Sequence, residues 1–182
     1  MKLQNLLFAL FTCFLLTQQS NAVEVLFRNM PWGSTMQQVK AKEKAYLLQE
    51  TPNGLMYEDQ IVHRNFNSAY FFQNNKLFRG VYSLQEQSSE EQGVLNQRSN
   101  YVLLYKILLD ELVKVHGVPD KQKELPKLGN NEDVTNFLDK VAERNDGVYS
   151  QWKVGDVLIT LALKGVEGKL KVLKIVDHKV TN

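Results

Sequence analysis

Apolar positions along this chain switch between a three-four spacing and strict alternation, and the switches mark the predicted elements. Val23, Val25 and Phe27 alternate over a short strand, which Pro31-Trp32-Gly33 breaks. Ser34 and Gln37 have the spacing of a capping box, and Met36, Val39, Tyr46 and Leu47 supply the apolar stripe of a helix over 34–48. Thr51-Pro52-Asn53-Gly54 stops it. Strands are predicted over Leu55–Val62, Ser68–Gln73 and Leu77–Leu84. The last two form a hairpin about Asn74-Asn75, because asparagine tolerates the positive φ of a tight turn.

The polar stretch from Glu86 to Gln97 reads as a loop. Tyr101, Leu104, Tyr105, Leu108, Leu109, Leu112 and Val113 then trace the strongest helix. Ser99 or Asn100 caps it, and His116-Gly117-Val118-Pro119 closes it. Val134, Phe137, Leu138 and Val141 form a shorter helix. Strands follow at Val148–Val154, Val157–Leu163 and Lys169–Val176. The last changes phase between Leu170/Val172 and Leu173/Ile175, which predicts a bulge or a second buried face. The order is helix, three strands, two helices, three strands. It predicts an α+β fold with helices packed on one face of an antiparallel sheet, in a loose tandem layout.

Residues 1–22 stand outside this pattern. Lys2 precedes an apolar run from Leu6 to Leu16, and Ser20-Asn21-Ala22 places small residues before Val23. That is the order of a secretory signal peptide. The run is about half the roughly 20 residues a membrane-spanning helix needs. The expectation is cleavage near Ala22, a periplasmic or secreted location, one α+β domain over 23–182, and no transmembrane segment in it. The lone cysteine, Cys13, falls inside the run. Phe11 and Thr12 before it do not make a lipidation site, so the exported part carries no thiol, disulfide or thiolate-bound metal.

Charge narrows the function further. The net charge of +2 gives no electrostatic case for nucleic acid. The densest basic tract, with Lys164, Lys169, Lys171 and Lys174, reads as lysines guarding a strand edge or solvent face. Catalytic constellations are missing. No serine sits in a Gly-x-Ser-x-Gly elbow, and His63, His116 and His178 have no metal-ligand spacing. His116 reads as a helix C-terminal imidazolium, and His178 as part of a frayed tail. Asn130-Asn131-Glu132-Asp133 reads as the capped start of a helix, not as a calcium loop. Glu58 and Asp59, adjacent on a strand, point to opposite faces. No catalytic residue, metal or cofactor is assigned. His63 with nearby carboxylates is the one enzymatic alternative.

The stretch Phe27-Arg28-Asn29-Met30-Pro31-Trp32-Gly33-Ser34-Thr35 resembles the opening of many small exported bacterial proteins of uncharacterised function. Val113-Lys114-Val115-His116-Gly117-Val118-Pro119 resembles their helix ending, and Trp152 ahead of Val157-Leu158-Ile159 is also similar. More distantly, the layout resembles the β-lactamase-inhibitor-protein-like fold and the small SmpA/OmlA outer-membrane-assembly lipoproteins. The resemblance implies work by contact with an envelope protein and carries over no catalytic residues. Trp32, Tyr70, Phe72 and Tyr82 are the candidate binding residues: the hairpin aromatics serve if one face of the hairpin is uncovered, against the reading that helices cover both faces, and the local reading of Trp32 is that it covers the end of the core. An apolar-ligand carrier, with a cleft between the sheet and the long helix, is the other expectation.

Overall fold

The computed structural model describes residues 25–61, 64–84, 94–144 and 146–179. The predicted signal segment and His63 lie outside them. Three helices and eight strands are described: α1 (Met36–Lys42), β1 (Tyr46–Thr51), β2 (Gly54–Ile61), β3 (Arg64–Gln73), β4 (Lys76–Leu84), α2 (Val94–His116), β5 (Lys121–Lys123), α3 (Asn131–Arg144), β6 (Gly147–Val154), β7 (Val157–Val166) and β8 (Lys169–His178). The strands form one antiparallel sheet in the order β1-β2-β3-β4-β8-β7-β6-β5. The fold mixes helix and strand as expected, but it is dominated by the sheet.

Each half of the sheet is a meander, and β4 pairing with β8 joins the halves. Turn chemistry fixes the hairpins. Asn74 and Asn75 both take positive φ, 51° and 57°, as do Glu167 and Gly168 at 54° and 75°. This double left-handed geometry matches the twist of the flanking strands. Gly117 closes α2 at φ 78°, donating its N–H to the Val113 carbonyl at 2.8 Å.

The core lies on one face. Read across the strands, Leu55, Tyr70, Gly80, Val176, Ile159 and Trp152 stand in register, and Tyr57, Ser68, Tyr82, Lys174, Leu161 and Ser150 form the next row. α2 and α3 cover this face over β6–β8. The Tyr105 hydroxyl on α2 meets the Ser150 hydroxyl at 3.1 Å. Over β2–β4 the cover is a tight hook, Phe27–Met30, followed by α1. A Cβ on Gly80 would lie 2.0 Å from the Phe27 ring, so only glycine lets the hook lie flat on β4. The opposite face shows Phe71, Tyr149 and Leu158 to solvent.

Several sequence expectations change, among them the start of α2, which lies at Val94 and not after a cap at Ser99 or Asn100. The first helix ends at Lys42, not residue 48, and Tyr46 and Leu47 belong to the extra edge strand β1. Thr51-Pro52-Asn53-Gly54 does not stop a helix but turns β1 into β2. The capping box is formed one residue later than predicted, by Thr35 and Gln38, whose side chains each bond the other's backbone N–H. The phase change in β8 is not a bulge: β7 and β8 pair in unbroken register from Val157↔His178 to Val166↔Lys169. Leu170, Val172, Lys174 and Val176 face the core, while Leu173 and Ile175 are half-buried on the other side. A register shift occurs instead in the β3–β4 pair, beside Phe71 and Phe72.

Candidate functional site

One face of the aromatic hairpin is uncovered, and it carries Phe71 and not the candidates Tyr70 and Phe72. On β3 the period of two turns Tyr70 and Phe72 inward, where they are 0% and 4% exposed, and leaves Phe71 on the other face. Tyr70 packs edge-on against Phe27 and Tyr57, with ring centroids 5.0 and 5.8 Å away. Both candidates are core. Trp32 is half-buried. Its indole N–H donates to the Val25 carbonyl at 2.7 Å and its ring stacks on His178 at 5.4 Å. His178 therefore belongs to the ordered end of β8, and not to a frayed tail. Gly33, at φ 79°, donates to the Leu77 carbonyl, and the Ser34 carbonyl accepts from the Leu77 N–H. The Trp-Gly-Ser motif thus ties the start of α1 to β4.

Beneath the hook lies an ion cluster. Arg28 forks onto Glu43, with Nε to Oε2 at 2.8 Å and Nη2 to Oε1 at 3.0 Å, and its Nη1 reaches Asp59. Glu43 also accepts from the Tyr70 hydroxyl and from the backbone N–H groups of Lys44 and Ala45. Burial alone would raise the Glu43 pKa. The bonds from Arg28, Tyr70 and Ala45 outweigh it and hold the carboxyl down at about 2. Arg28 is shifted up and Tyr70 is pushed well above its ordinary value. Every charged group here already has partners, so the cluster serves to hold the hook.

Tyr82 has a different setting. It sits where the two halves of the sheet meet under α2, on the wall of a cleft of about 390 Å³. That lies within the range of about 300–1,000 Å³ typical of small-molecule sites. Phe66, Tyr82 and Val172 form its floor, and Leu103, Leu104, Ile107 and Leu108 of α2 form its wall. Leu103 and Ile107 are 55% and 47% exposed and give the hollow an apolar opening. α2 has two jobs, which its sequence separates. Tyr101, Val102, Tyr105 and Leu112 are buried, while Leu103 and Ile107 stand at the opening.

The cleft holds few polar groups: Asn100, Glu111 and Lys174. The sequence predicts a surface or edge lysine at Lys174. The structure corrects this, because β8 lies between β4 and β7 and Lys174 shares the inward phase of Val172 and Val176. Its ammonium lies 5.9 Å from the centre of the Tyr82 ring, a cation–π contact. Burial lowers its pKa, and the Glu111 carboxylate partly offsets this. Among the described residues no carboxylate comes within 4.0 Å to pair with it. The one sequence signal was a lysine in the apolar phase of a strand.

His116 also departs from expectation. Burial and then the nearby Lys174 ammonium lower its pKa, against the imidazolium expected at a helix end. Among the described residues no three His, Cys, Asp or Glu side chains converge as a metal site. Asp59 is engaged by Arg28. Asn130 Oδ1 accepts from the Asp133 N–H at 2.9 Å and so caps α3. No helix among them is long and apolar enough to cross a membrane. No family model, curated protein or solved structure matches the chain.

Proposed function

We propose that this chain is a non-catalytic binding module that carries a small apolar ligand in the cleft under α2. One observation carries the reading: a hollow of about 390 Å³ lined chiefly by aliphatic and aromatic side chains, with Leu103 and Ile107 open to solvent at its edge. Filling it removes apolar surface from water on both partners, the main driving force for such binding. The charged cluster at Arg28 is used up internally.

Leu108→Trp adds bulk inside the cleft. It is expected to weaken binding of a hydrophobic dye such as N-phenylnaphthylamine at least tenfold in a fluorescence titration, with an unchanged melting curve. Unchanged dye affinity in a folded Leu108→Trp protein would overturn the assignment.

The proposal places the module in the periplasm or outside the cell. Its support is the order of charged, apolar and small residues in 1–22. Export predicts a mature protein starting at Val23. N-terminal sequencing of protein recovered from cells tests this, and an intact Met1 on cytosolic material would refute it. Contact with an envelope protein is a second reading. It is favoured by the solvent-facing Leu103 and Ile107, which an apolar partner segment could cover.

A further inference from the structure

The cleft is apolar along its length and charged at one end. Asn100 and Glu111 on α2 are separated by about 16 Å of helix, at 1.5 Å per residue. Between them run Leu103, Leu104, Ile107 and Leu108, opposite Phe66 and Val172. Lys174 stands at the Glu111 end, beside Tyr82. We propose that the cleft selects single-chain amphiphiles with a carboxylate head, the head pairing with Lys174 and the alkyl chain lying along α2. This rests on the cleft being the binding site.

The argument is one of desolvation. In the open cleft the Lys174 ammonium keeps access to water, and the Tyr82 ring is its nearest described partner. An apolar ligand that fills the cleft expels that water. An ammonium buried without an acceptor is strongly disfavoured, so a purely apolar occupant would strand it. A ligand that brings its own carboxylate supplies the missing acceptor and forms a charge-assisted hydrogen bond in a low-dielectric site. The groups facing Lys174 agree with this. Tyr82 offers a ring face. His116 has its pKa lowered by burial and by Lys174 itself, which disfavours a second cation there. Among the described residues Glu111 is the carboxylate that lines the same end, without an ion pair to Lys174 in this arrangement. An alkylammonium head would meet Lys174 with like charge.

Dye displacement from the full chain by dodecanoate, dodecanol and dodecylamine, each below its aggregation concentration, separates the outcomes. Dodecanoate is expected to bind at least tenfold tighter than dodecanol, with dodecylamine weakest. Lys174→Met should bring dodecanoate down to the level of dodecanol while leaving dodecanol binding intact or improved. That retained binding also shows that the variant is folded. Glu111→Gln should tighten dodecanoate further. Equal affinity for the acid and the alcohol in the unsubstituted protein would show that Glu111 neutralises Lys174. It would overturn the head-group assignment and leave the apolar cleft standing. Failure of all three alkyl probes to displace the dye, or of the dye itself to bind, would remove the cleft reading as well.

Discussion

Trp152→Ala is expected to lower stability by about 3–5 kcal/mol, the range for deleting a large aromatic from a packed core. Trp152 is 1% exposed and stands in register with Ile159, at the end of the row of inward side chains that crosses the sheet. Its indole N–H donates to the Gly117 carbonyl at 2.8 Å. Gly117 closes α2, so this bond fastens the end of the long helix to β6. Alanine would leave a void and remove the Gly117 carbonyl's donor. For a chain of this size the melting temperature should fall by roughly 6–20 °C. Trp152→Phe keeps much of the volume and loses the bond, so it should cost about 1–2 kcal/mol. Thermal or urea unfolding measures both. A loss below about 1 kcal/mol for the alanine variant would mean that α2 is not anchored through this residue.

Acid should release the N-terminal hook next. Glu43 has a folded-state pKa of about 2 against an ordinary 4.5. A carboxylate depressed in the folded state binds its proton more weakly there than in the unfolded chain. Its contribution is complete above about pH 4.5 and is lost as pH falls towards 2. At about 1.36 kcal/mol per pKa unit, the loss between pH 7 and pH 3 is about 2 kcal/mol. Glu43→Gln should already be destabilised at pH 7 by about 2–4 kcal/mol. The substitution removes the carboxylate onto which Arg28 forks, leaving Asp59 as that guanidinium's remaining ion-pair partner. The same variant should lose much less than the unsubstituted chain on going to pH 3. Urea unfolding at the two pH values makes the comparison, and parallel losses in both proteins would sink the assignment. The hook depends on this cluster because Arg28 and Asn29 both hold positive φ, 52° and 57°, a conformation that costs energy for residues with a side chain.

The candidate site was legible only in outline. A cleft between sheet and long helix could be expected from the layout, and Tyr70, Phe72 and Tyr82 stood out as aromatics on a hairpin. Which of those aromatics would be covered was not legible. The answer depends on Phe27, which is 43 residues from Tyr70 and lands on it only because Gly80 has no side chain. Tyr70 is covered by the hook, while Tyr82 lies at the boundary between hook and helix and keeps one side open.

Local physics set the parts that sequence alone determined. The Asn74-Asn75 turn, the α2 stop at Gly117 and the cap of α3 are decided within a few residues by backbone preference and hydrogen bonding. So is the inward-outward alternation of the strands. Tertiary structure decided three things that no short window contains. Tyr46 and Leu47 became strand because β2 offered a pairing edge, which overrides a weak helical stripe. β8, last in the chain, became central because β4 and β7 both pair with it. That placement turned Lys174 from a solvent lysine into the charged end of an apolar cleft, since burial depends on what packs above a strand and not on the residues along it.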